Sequence, residues 1–119
     1  MPNESSQSVP VNGETRPVVV QVVTTVDSID AAERITEELL MKRLAACVQR
    51  SGPITSRYWW NGEIATAAEW TLTCKTTRER KEALVAAIRY RHPYEVPELL
   101  ITKARSDKPY AAWVAEQVS

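Results

Sequence analysis

The chain has no phenylalanine, one histidine, two cysteines and three glycines among its 119 residues. Three glycines cannot build a glycine-rich phosphate loop, and no Walker or Cys-x-x-Cys pattern is present. Two cysteines, Cys47 and Cys74, are too few for a disulfide scaffold and fit reduced thiols in a cytosolic protein. No Ser-His-Asp order appears and no nucleophile–base pair is visible, so the expectation is a protein that is not an enzyme. Net charge is also missing: fifteen basic and fifteen acidic residues cancel. Nucleic acid and anionic membrane both attract an excess of Lys and Arg, so neither is an expected partner. No apolar run approaches the ~20 residues of a membrane span.

What is present is ordinary globular composition, 44% apolar and 25% charged, in a length that suits one domain. Met1 to Arg16 is Ser, Asn, Pro, Gly and Glu without a basic or apolar leader region. That composition predicts a disordered tail over 1–16 and a single folded domain over 17–119. Val18 to Val23 is a nearly continuous β-branched run, the pattern of a well-buried strand. Asp30 with Glu33 offers a capping box, and Ala32, Ile35, Leu39 and Ala46 follow helical spacing, which predicts a helix over roughly 29–44.

A long hairpin follows. Asn61-Gly62 is a strong hairpin signal, because a type I′ turn needs φ > 0 at both central residues. That turn pairs Trp60 with Glu63. Carried down without a slip, the ladder sets apolar against charged residues near its base. One extra residue at Gly52-Pro53 repairs the base and pairs Val48 with Cys74, which puts Cys47 and Cys74 on opposite faces. Trp70, Leu72 and Cys74 then point inward; Glu69, Thr71, Thr73 and Lys75 point the other way. Thr76 with Glu79 offers a second capping box for a helix that ends before His92-Pro93. Leu99 to Ala104 reads as a last strand. Ser106 or Asp107 caps a terminal helix with Pro109 in its first turn and a stripe of Tyr110, Trp113, Val114 and Val118. The order is β-α-β-β-α-β plus a helix: an α+β, ferredoxin-like sandwich with a central first strand, helices on one sheet face and the other left to solvent or a partner.

Two segments invite a functional reading. Tyr58-Trp59-Trp60, with Trp70, puts aromatics on both sides of a hairpin tip, which points to an interface. His92-Pro93-Tyr94-Glu95-Val96-Pro97-Glu98 combines an imidazole with two carboxylates, a donor set for Cu(II) or another divalent metal. A rigid loop with His92 capping the helix is the alternative. Lys75 could hold an anion or sit in solvent.

Five segments taken together resemble the CutA divalent-cation tolerance proteins. They are Leu44-Ala45-Ala46-Cys47-Val48, Ser56-Arg57-Tyr58-Trp59-Trp60-Asn61-Gly62, Cys74-Lys75-Thr76-Thr77, His92 to Glu98, and Tyr110-Ala111-Ala112-Trp113. The resemblance implies a homotrimer whose long hairpins pair between subunits through Trp59, Trp60 and Trp70. It implies tolerance of copper and other divalent metals, with a metal bound at His92, Glu95 and Glu98 and no obligatory cofactor. Copper ligands proposed for some bacterial members fall on Val23 and Arg91 here, so His92 alone carries over. The architecture also looks like that of PII signalling proteins. On that likeness a small anionic ligand would sit between subunits, at a cleft of Tyr58, Trp60, Glu69, Lys75 and Tyr94. A platform without any small ligand is the third reading.

Overall fold

β-Branched side chains are stiff at χ1 and pack well on a pleated surface, and the valine run forms the central strand. The computed structural model describes residues 17–119, so the expected tail over 1–16 lies outside the described residues. The elements are β1 (Val18–Val26), α1 (Ile29–Met41), β2 (Cys47–Trp60), β3 (Glu63–Thr76), α2 (Arg78–Arg91), β4 (Leu100–Arg105) and α3 (Lys108–Gln117). The strands make one antiparallel sheet in the order β2-β3-β1-β4. This is the expected ferredoxin-like arrangement with an added terminal helix.

The core forms where two periodicities meet. Val20, Val22 and Val26 of β1 and Leu72 and Cys74 of β3 recur every second residue and share one face of the sheet. Against them lie Ile35 and Leu39 of α1 and Leu84 and Ile88 of α2, each pair one helical turn apart. The opposite face is not wholly open. Lys75 alternates with Cys74 and so points there, and its ammonium lies 5.9 Å from the centre of the Tyr110 ring. α3 therefore covers part of the face expected to be free, burying Val114 and Val118. Two guanidinium groups hold its far end: Arg43 Nη1 donates to the Gln117 carbonyl at 3.0 Å and Arg80 Nε to the Val118 carbonyl at 2.7 Å. Carbonyls of a last helical turn have no partner within the helix, and these donors supply one.

Helix starts fall one or two residues from their expected caps. Ser28, not Asp30, caps α1, its hydroxyl accepting from the Ala31 N–H; Thr77, not Thr76, caps α2 by accepting from Arg80 N–H. Thr76 is diverted: its hydroxyl donates to the Leu44 carbonyl at 2.7 Å. Asp107 caps α3, which resolves the alternative with Ser106. α1 stops at Met41 rather than near residue 44, because Arg43 turns to φ 57°. Leu44 N–H then reaches the Leu39 carbonyl and Arg43 N–H the Leu40 carbonyl, which closes a Schellman motif.

The hairpin has the expected turn and register. Asn61 and Gly62 have φ 53° and 79°, Trp60 pairs with Glu63, and the single irregularity lies between Ser51 and Ile54, so Val48 faces Cys74. A Cβ on Gly52 would stand 2.9 Å from the Glu69 carbonyl oxygen, so the bulge needs glycine there. Fourteen residues of strand extend about 45 Å. The thirteen residues of α1 reach only about 20 Å. The outer half of the hairpin therefore has no helix to cover it. The radius of gyration is 17.4 Å, against about 13 Å for a compact chain of about 100 residues.

Candidate functional site

The site grows from the stop signal of α2. Pro93 pushes the preceding residue out of helical conformation, and His92 takes φ −72°, ψ 134°. That turns its ring under the loop, where it is 9% exposed. Nε2 lies 2.8 Å from the Thr25 carbonyl, which can only accept, so this nitrogen carries the hydrogen. Nδ1 accepts the Tyr94 N–H at 3.1 Å. Both ring nitrogens are in use, and the ring is the neutral Nε2–H tautomer. Burial pushes the imidazole below its ordinary range; the Thr25 carbonyl and the charges of Asp27 and Glu69 pull the other way without prevailing.

Tyr94 continues the chain of contacts. Its ring meets His92 edge-to-face at 4.8 Å, and its hydroxyl donates to Glu69 Oε2 at 2.6 Å. Burial raises the phenol above its usual range, and the bond to Glu69, together with that residue's charge, adds to the shift. Glu69 lies on the expected face of β3, yet it is only 6% exposed because Tyr94 closes over it. No lysine or arginine among the described residues forms an ion pair with it.

The expected metal set is not assembled within one chain. His92 has no free lone pair, and Glu95 and Glu98 are exposed on the loop. Among the described residues, no three His, Cys, Asp or Glu side chains converge as a metal site. The alternative for this loop, His92 in a structural role, fits this geometry: both ring nitrogens bond within the chain, and the backbone N–H donates to the Ile88 carbonyl at the end of α2.

The expected ligand cleft divides into parts. Glu69 and Tyr94 meet, while Tyr58 stands opposite Ala65, four residues along β3 from Glu69. Trp60 and Lys75 each lie six residues along the hairpin from that point, Trp60 opposite Glu63 at the tip and Lys75 opposite Cys47 at the base. Six strand residues span about 20 Å, so within one chain neither reaches Glu69. Of the expected interface residues, Trp59 is 73% exposed and Trp60 49%, on opposite faces. Trp70 instead packs against the core beside the Gly52 bulge. Sequence reasoning missed Thr25 and Asp27. Thr25 acts through its backbone carbonyl, which no residue type announces.

The family model for the CutA1 divalent ion tolerance protein matches residues 20–117. The chain belongs to that family. It is 37% identical over 101 residues to the divalent-cation tolerance protein CutA of Thermotoga maritima, spanning 84% of this chain and 99% of that one. The crystal structure of CutA from Xylella fastidiosa superposes with a TM-score of 0.82 at 30% identity, over 85% of this chain and 98% of that one. The periplasmic divalent cation tolerance protein CutA of Archaeoglobus fulgidus gives 0.81 at 33% identity, over 85% and 99%. The match to the family model runs from β1 to α3. No helix among the described residues is long and apolar enough to cross a membrane.

Proposed function

We propose that the chain serves divalent-cation tolerance as a non-catalytic homotrimer of the cytoplasm, without a copper site centred on His92. The observation that carries this reading is the hairpin. Tyr58, Trp59, Trp60 and Ile64 are 42%, 73%, 49% and 54% exposed on an arm longer than the helices can cover. Apolar surface of that kind marks an association site. The cytoplasmic placement is supported by two unpaired thiols, Cys47 and Cys74.

The test is a Cu(II) titration against a competing chelator, on the wild type and His92→Ala, with native mass read on the same samples. The expected mass is three chains. The expected Cu(II) affinity differs by less than about tenfold between the two proteins, because His92 already spends both nitrogens on the protein. A larger loss in the variant would restore His92 as a ligand and overturn this part of the reading.

A second reading has one observation in its favour. Glu69 and Tyr94 meet at one place, as a ligand pocket between subunits would require, with Lys75 then supplied by a neighbouring subunit. A thermal-shift screen of small anionic metabolites in which no compound raises the melting temperature would count against it; at a hundred times its Kd a ligand adds about 2.7 kcal/mol.

A further inference from the structure

We propose that the 92–98 loop is a pH-sensitive latch, held closed on the sheet by the neutral Nε2–H form of His92 and released when Nδ1 takes a proton. The inference rests on the reading that His92 holds no metal, and every contact it uses lies within one chain. Four residues form a continuous chain of bonds. The Thr25 carbonyl of β1 accepts from Nε2, Nδ1 accepts from the Tyr94 N–H, and the Tyr94 hydroxyl donates to Glu69 of β3. Two hydrogen bonds thus tie the loop to both central strands, and one edge-to-face contact joins the two rings within the loop.

The middle bond is the sensitive one. A carbonyl cannot donate, so Nε2 must keep its hydrogen, and Nδ1 is the only position left for an added proton. Once protonated, Nδ1 would face the Tyr94 N–H at 3.1 Å, donor against donor. A ring flip offers no escape, because both nitrogens of an imidazolium donate. The Tyr94 backbone must therefore move, and its ring and hydroxyl move with it. Glu69, 6% exposed, then loses its donor and becomes open to solvent or to another partner. Release of the loop is thereby a change at β3, beside the bulge that bends the hairpin.

The groups facing the ring set the direction. Asp27 beyond the end of β1 and Glu69 on β3 both favour the charged imidazole, and Tyr94 packs against it from the loop. Burial outweighs them, so the folded chain binds this proton less readily than the unfolded one. The stabilisation from the closed loop is then complete above the ordinary value of 6.5 and is lost as pH falls from there through the lower folded value.

The experiment uses the full chain labelled with nitrogen-15. His92 is the only histidine in the sequence, so its ring signals need no assignment. Ring nitrogens and amide hydrogen exchange are followed from about pH 8 to about pH 5. Expected at the upper end is a hydrogen on Nε2 and none on Nδ1. As Nδ1 titrates, the amides of Tyr94 and Glu95 should exchange about tenfold faster or more relative to the intrinsic rate at each pH, while that ratio for Val22 in the core is unchanged. In Tyr94→Phe the loop should still respond, but the Glu69 amide should no longer follow His92. A hydrogen on Nδ1 at the upper end would overturn the latch. So would a titration that leaves loop exchange unaltered, an equal response of Glu69 in the variant, or acceleration of core and loop together.

Discussion

Thr24 is fully buried beside Leu72, and its hydroxyl has no hydrogen-bond partner. A buried polar atom left unpaired carries its full desolvation cost. Thr24→Val keeps the β-branched shape and removes the hydroxyl. It is expected to stabilise the fold by about 1 kcal/mol, a rise of roughly 4–8 °C in the thermal midpoint; a fall would mean that the hydroxyl has a partner. Cys74 shows the opposite outcome of burial. Its thiol is pushed up to about 12, by desolvation first and the neighbouring Cys47 second, so it stays protonated and packs as a small hydrophobe. That core role was legible from its place among inward strand positions. The burial of Glu69 was not, because the side chain that covers it, Tyr94, arrives from a loop 25 residues away. Nothing in the local alternation distinguishes a carboxylate left in water from one roofed by a distant ring.

Arg43 is the least relaxed residue among the helix ends, a non-glycine residue at φ 57° where glycine is usual. It is retained at a left-handed position while its guanidinium caps α3, so backbone and side chain pull in opposite directions. Arg43→Ala keeps the strained backbone and loses the cap; it is expected to cost about 1 kcal/mol. Arg43→Gly loses the same cap but relieves a left-handed cost of roughly 1–2 kcal/mol, so it should denature later than the alanine variant in urea. Equal midpoints would show that the turn is not strained. Elements were more legible than their ends. The element order, the Asn61-Gly62 turn and the bulge followed from periodicity and from what glycine and proline permit. The α2 cap did not, because Thr76 spends its hydroxyl on Leu44, 32 residues earlier, and leaves capping to Thr77. Local spacing cannot show which of two adjacent threonines a distant carbonyl will claim.

For the molecule as a whole, the decisive quantity is the mismatch between strand and helix lengths. If the bare outer hairpin is the assembly surface, the double variant Trp59→Ala with Trp60→Ala should fall from the mass of three chains to that of one at micromolar concentration, with secondary structure by circular dichroism unchanged. An unchanged mass would remove the hairpin from that role. The same arm has a consequence during synthesis. β2 is an edge strand, and from Ile54 to Trp60 it carries one charge, Arg57, among three aromatic residues. An open edge of this kind is a template for any passing strand. The hairpin is synthesised before β4 and α3, so a newborn chain displays its stickiest edge before the fold is complete. Yield is then a race between correct partners and indiscriminate ones, and slower translation at lower temperature, by keeping unfinished chains scarce, should favour the soluble product.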